Sequence, residues 1–267
     1  MYIYHETEHA YSHIMGEHTG SKQGYDASRK SVSMNGITRD DMHMVYGILR
    51  GCGDVIEYCD FNAIPYLYID HSFFWSKKGP PTARDSGHYY RIISNGRHFN
   101  DMDVPDNRFK VLGITVKPWQ LGGDKIVVVP ISKSVATFIG TTVESWLQRT
   151  LTALKRYTNR KIIVQPKNPP GVFYPESPFI EIIRDAHAVV VAESNVAVDA
   201  IVEGIPVFCS PQCAAAPVGL TNLSQIESPV YSDRTNWLNA LAYQQFTLEE
   251  IRNGTARSVT EKYAAPV

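Results

Sequence analysis

This sequence predicts an α/β protein built on a parallel sheet, and three observations support that. From residue 125 to 208, short apolar runs and helical patterns alternate in the order β-α-β-α-β-α-β, the mark of a parallel sheet wrapped by helices. The runs at 125–130 (KIVVVP), 161–164 (KIIV) and 188–192 (AVVVA) are continuously apolar, as strands covered on both faces are. Each run gives way to polar residues: Ser132, Lys133 and Ser134 after the first, Lys167 after the second, Glu193, Ser194 and Asn195 after the third. In a parallel sheet these ends share one edge, the edge where open α/β sheets bind ligands.

Composition narrows the function classes. The chain has 267 residues, enough for one large domain or two small ones, and 43% of them are hydrophobic, enough for a real core. With 26 basic and 27 acidic residues, nothing suggests a strongly basic nucleic-acid surface. Cys52, Cys59, Cys209 and Cys213 include no CxxC pair and read as free thiols of a cytoplasmic protein. The opening MYIYHETEHAYSH has no apolar core and does not read as a signal peptide. No run approaches the roughly 18 apolar residues of a membrane span.

Taken in order, residues 1–30 are polar, and His5, His9 and His13 would line one face of a helix. No carboxylate or Cys pattern completes a metal site there, so the segment reads as a solvated or acceptor-facing terminus. Residues 45–50 (VYGILR) read as a strand, 52–60 as a short helix and 64–69 (IPYLYI) as a β-branched, aromatic strand. That strand ends at Asp70-His71-Ser72-Phe73-Phe74. A carboxylate beside an imidazole is general-base material, and the same residues also suit plain turn chemistry. Residues 77–86 form a loop broken by Gly-Pro-Pro, and 88–93 with 97–99 predict a strand and an edge. Arg84, Arg91 and Arg97 bring positive charge to the Asp70 region, suited to a phosphate or an acidic acceptor. A junction falls at 110–124, dividing the chain into an N-terminal domain, 1–115, and a C-terminal one, 116–267.

In the second half, 131–140 reads as a loop and Thr141-x-x-Glu144 as a capping box. The helix behind it places Val143, Trp146, Leu147, Leu151, Leu154 and Tyr157 on one face. Residues 178–184 form a short helix. Ser194 or Asn195 caps the next helix, which stops at Gly204 before a strand at 205–209. Residues 236–243 read as a helix, and Thr247 with Glu250 make a second capping box. The last dozen residues are expected to be loosely held.

Asp70-His71-Ser72-Phe73 preceded by Ile64-Pro65, then Gln165-Pro166-Lys167, Ser194 to Gly204, and 216–221 (APVGLT) form a series of motifs. The series resembles capsular polysaccharide glycosyltransferases of the Kdo-transferase type and, more distantly, bacterial sialyltransferases. The resemblance covers about 60–225. It implies a GT-B-like fold of two Rossmann-like domains with parallel sheets, the first domain trimmed. It also implies metal-independent transfer from a nucleotide-sugar donor, with no further cofactor. The family's catalytic acid falls on His71 if Ser72 takes the Gly position, while Asp70 matches the first acid of that motif. The family's nucleotide-binding His falls on Lys167. A base at Asp70 or His71 is therefore implied, with Ser132, Lys133, Ser134, Lys167, Glu193, Ser194 and Asn195 on the donor and Arg84 and Arg91 on acceptor or phosphate.

The sequence thus predicts a cytoplasmic glycosyltransferase acting on an acceptor hydroxyl of a polysaccharide or of a modified DNA base. Compact enzymes of this sort also occur in bacteriophages, where a modified DNA base is the acceptor. Two alternatives share the architecture: a sugar-nucleotide epimerase or hydrolase, and a non-catalytic module binding a nucleotide or partner. Oligomeric state is not legible in the sequence.

Overall fold

The computed structural model describes residues 2–6, 24–26, 37–49, 51–74, 89–166 and 178–263. The chain forms two compact units, residues 1–104 with 239–267, and residues 105–238.

The first unit is a six-stranded sheet in the order β10-β5-β4-β3-β1-β2. Its strands are β1 (Tyr2–Glu6), β2 (Gly24–Asp26), β3 (Met42–Tyr46), β4 (Tyr66–His71), β5 (Tyr89–Ser94) and β10 (Gln245–Thr247). Pairing is parallel from β2 through β4 and antiparallel at β5 and β10. Helix α1 (Cys52–Asn62) links β3 to β4 and buries Cys52, Val55, Ile56 and Cys59. His5 therefore belongs to a strand and not to a helix face, while His9 and His13 lie outside the described residues.

The second unit holds a four-stranded, all-parallel sheet in the order β7-β6-β8-β9. Helix α2 (Asn107–Val111) precedes β6 (Lys125–Val128), which is followed by α3 (Lys133–Phe138), α4 (Val143–Tyr157) and β7 (Lys161–Val164). Then come α5 (Pro178–Ile183), β8 (Ala186–Val190), α6 (Val196–Val202) and β9 (Val207–Phe208). Ile126, Val128, Ala188, Val190 and Phe208 form its core with Leu154 of α4. Trp146, Leu147, Leu151 and Leu154 pack as the helical spacing requires.

Four local expectations change. Residues 131–140 are not a loop, because Ser132 caps α3 by accepting from the Val135 amide at 3.3 Å. The cap of α4 is Thr142, which accepts from Ser145 at 3.0 Å; Thr141 instead accepts from Arg149. Residues 97–99 add no strand. Residues 255–262 are helical and not loosely held: α7 (Thr235–Tyr243) leads into β10, α8 (Leu248–Arg252) and α9 (Thr255–Lys262). Phe246, Leu248, Ile251 and Ala256 are buried against Leu67, Ile69 and Ile92. That burial, with the β10–β5 pairing, draws 239–267 into the first unit, whereas a cut at residue 115 puts them in the second.

Candidate functional site

The chemistry gathers at strand ends, first at the carboxyl end of β4. Asp70 faces Arg91 directly across the antiparallel β4–β5 pair. Directly opposed side chains on one sheet face are close enough to bond. Arg91 donates to Asp70 Oδ2 at 2.7 Å, the Tyr68 hydroxyl donates to the same oxygen at 2.6 Å, and the His71 amide donates to Oδ1 at 2.8 Å. The guanidinium is buried and lies over the Tyr68 and Phe73 rings, 5.3 and 5.4 Å from their centroids. Burial pushes the Asp70 carboxyl up. The Arg91 charge, the nearby His71 and the two remaining hydrogen bonds outweigh it and hold the group below the usual carboxylate range.

His71 is exposed and sits on the other sheet face, because successive strand side chains alternate. Its ring meets Tyr46 edge-on at 6.3 Å. Asp70 and His71 therefore do not form a carboxylate–imidazole dyad, despite being adjacent in sequence. The turn after them is fixed twice over. Ser72 Oγ donates to the Phe74 carbonyl at 2.9 Å, and Gln245 Oε1 accepts from the Phe73 and Phe74 amides at 3.1 and 3.3 Å. Arg97 is not part of this cluster. β5 runs antiparallel to β4, so residues beyond Ser94 lie at the amino end of β4, where Arg97 acts on Tyr66. Arg84 lies outside the described residues.

The second cluster is the carboxyl edge of the parallel sheet. Ile131 and Ala192, which follow β6 and β8, pack together. The Gln165 amide bonds Val128 and the Ser210 amide bonds Ala192, so the ends of all four strands adjoin. This edge carries Ser132, Lys133 and Ser134 after β6 and Glu193, Ser194 and Asn195 after β8. Lys167 lies outside the described residues. The Ser132 hydroxyl is engaged as a helix cap, leaving its O–H as a donor. Asn195 occupies the cap position of α6, but neither its side chain nor that of Ser194 caps the helix. Lys133 is exposed, and Ser134 and Ser194 are partly buried.

Two residues of this unit escaped sequence reasoning. Ser210 follows β9 just as Ser194 follows β8, so the strand-end rule applied to residues 205–209 would have found it. Asp199, partly buried in the first turns of α6, offers no comparable signal in its own residue type. Burial, with the charge of Glu203 one turn on, pushes its carboxyl up to about 7. Cys209 bonds Cys213 just past β9, and none of the four cysteines is in a disulfide. Among the described residues, no group of three or more His, Cys, Asp or Glu could hold a metal ion, and no helix is long and apolar enough to cross a membrane.

Comparison with solved structures identifies the fold. A Thermosulfurimonas dismutans KpsC structure, a beta Kdo 2,7 transferase, superposes with a TM-score of 0.55 at 16% identity, over 97% of this chain and 99% of that one. The chain has a GT-B-like fold. A second KpsC structure from the same organism, a beta Kdo 2,4 transferase, gives 0.51 at 12% identity over 92% of each chain. No protein-family model and no curated protein matches the chain. The GT-B-like likeness thus lies in backbone architecture and not in overall sequence.

Proposed function

We propose that this protein is a glycosyltransferase that moves a sugar from a nucleotide-activated donor to a glycan hydroxyl. The observation that supports it is a likeness to two Kdo transferases running almost end to end along the chain. The polar strand ends suit the reaction. In this reading the hydroxyls of Ser132, Ser134, Ser194 and Ser210, with Lys133 and Lys167, meet the donor phosphate. They also stabilise the charge that develops on it as the nucleotide leaves. Glu193 and Asn195 line the same donor edge, and the β4 end supplies the base that accepts the acceptor proton. A Kdo donor is the first candidate.

A thermal-shift series with CMP, UDP, GDP, ADP and dTDP tests the donor half. A ligand that binds only the folded state adds about 2.7 kcal/mol at a hundred times its dissociation constant. A selective rise in Tm with one nucleotide is expected. Nucleotide release from the matching sugar donors is then measured with and without glycan acceptors. Release that needs an acceptor supports transfer, and release without one indicates hydrolysis. No shift and no release with any donor would overturn the reading.

A further inference from the structure

We propose that the solvent face of α4 is a docking surface for an acidic glycan, a sugar polymer bearing carboxylates. The choice of a glycan rests on the transferase reading above, and the surface itself rests on the second unit alone.

Helix α4 buries one side and leaves the other in water. Trp146, Leu147, Leu151 and Leu154 pack into the core of the parallel sheet. Arg149, Thr152, Lys155 and Arg156 are exposed. Arg149, Thr152 and Arg156 are spaced i, i+3 and i+7, so they form one stripe, about 10.5 Å long at 1.5 Å per residue. Exposed helices are commonly stabilised by acids three or four positions from such cations. Here Glu144, in the first turn, is the single acid of α4, and no acid stands three or four positions from Arg149, Lys155 or Arg156. Elsewhere in this unit Lys110, Lys117, Arg160 and Arg184 each pair with a carboxylate. The three cations of α4 pair with none among the described residues.

Arg149 is also held in place. Its Nη1 donates to the Ser145 hydroxyl at 2.8 Å and its Nη2 to the Thr141 hydroxyl at 3.1 Å. Two neutral oxygens thus fix the guanidinium without neutralising it, and the rest of its N–H groups stay available to an anion. A cation fixed beforehand loses less freedom on binding.

The neutral groups on this face select among polyanions. Gln148 Nε2 donates to Thr152 Oγ1 at 3.3 Å, so an amide and a hydroxyl lie among the cations. The Tyr157 ring, next to Arg156 in the chain, is 45% exposed. Amides and hydroxyls bond sugar hydroxyls, and an aromatic face covers the C–H side of a sugar ring. A bilayer would need an apolar face, and that of α4 is buried in the core. A nucleic-acid duplex would need an extended basic surface, whereas the chain has 26 basic and 27 acidic residues. A carboxylate-bearing glycan uses both the cations and the neutral groups.

The experiment measures binding of the full chain to polygalacturonate, neutral dextran, duplex DNA and vesicles containing phosphatidylserine. Wild type is compared with the neutral variant Arg149→Gln/Lys155→Gln/Arg156→Gln and with Lys155→Arg/Arg156→Lys, which keeps the charge. Wild type should bind polygalacturonate and not dextran, and that binding should fade at about 0.5 M salt, where exposed charges are screened. The neutral variant should lose about tenfold or more in affinity, with the Tm and nucleotide response of wild type, and the charge-keeping variant should stay within about threefold. No binding of polygalacturonate by wild type, or equal binding by the neutral variant, overturns the assignment. Tighter binding of DNA or vesicles than of polygalacturonate overturns it as well. Glycan binding by a protein inert to every nucleotide-sugar keeps the surface and strikes at the transferase reading; turnover without glycan binding does the reverse.

Discussion

At the end of β4, Asp70 is held by three donors, one of them a buried guanidinium. At the end of β8, the Ser194 side chain has no hydrogen-bond partner among the described residues, although it sits at the start of a helix. The first end is built for rigidity and leaves one exposed group, His71, on the far face of the sheet. The second leaves the Ser194 hydroxyl open at an edge, which is what a surface meant for a ligand requires. Polar residues at a strand end thus mean different things according to whether the protein already satisfies them.

The largest expected effect comes from breaking the satisfied end. Arg91→Ala leaves the Asp70 charge without its buried partner and should cost roughly 3–5 kcal/mol, read as a fall in the denaturant midpoint. Adding Asp70→Asn should recover part of that loss. If Arg91→Ala is harmless, the end is not a rigid clamp. The pair also fixes an acid dependence. The carboxyl is held below its unfolded value, so the stability it contributes is present above the ordinary carboxylate range and lost as pH falls through the folded value. Wild type should lose this contribution on acidification, and Asp70→Asn should not.

Asp199 shows the opposite sign. Its folded value, about 7, lies above the unfolded 3.8, so the folded state holds the proton more tightly across that window. Stability is fully present below the unfolded value and falls as pH rises through about 7. Asp199→Asn should flatten that slope and gain roughly 1–2 kcal/mol at pH 8, after allowance for solvent reaching a partly buried group. An unchanged slope in urea titrations at pH 5 and 8 would show that Asp199 is not buried as a neutral acid.

The smallest effects separate two serines that look alike in the sequence. Ser132→Ala removes a helix cap and should cost about 1 kcal/mol. Ser194→Ala removes no bond to the described protein and should stay within about 0.5 kcal/mol. In the transferase reading, Ser194→Ala should nonetheless weaken nucleotide binding in the thermal-shift series. Equal stability losses would erase the distinction between the two serines.

The parallel sheet was legible because it depends on patterns the chain repeats, while the motif resemblance alone implied a GT-B-like fold. Continuous apolar runs with helical spacing between them specify a parallel sheet, and the carboxyl ends of its strands must then share an edge. The Thr247–Glu250 capping box forms as its spacing implies, with both reciprocal bonds present. Gly204 stops α6 at φ 83 where the sequence placed a stop. Other features come from contacts distant in sequence, which local patterns do not encode. A Cβ on Gly204 would lie 2.0 Å from the Pro118 carbonyl oxygen, so that glycine also serves a close approach no local rule reveals. Residues 239–267 join the first unit because Phe246, Leu248, Ile251 and Ala256 complete a core whose other buried members lie more than 150 positions earlier. The roles of Asp70, His71, Arg91 and Arg97 were likewise left open by the sequence, which put all four near one strand end. An antiparallel pairing sends Arg91 to Asp70 and Arg97 to the opposite end, and strand alternation turns His71 to the other face. Composition and spacing determined the class of fold and which edge is polar. Register alone decided which of those polar groups are already spoken for, because a hydrogen bond is set by positions a few ångströms apart in space.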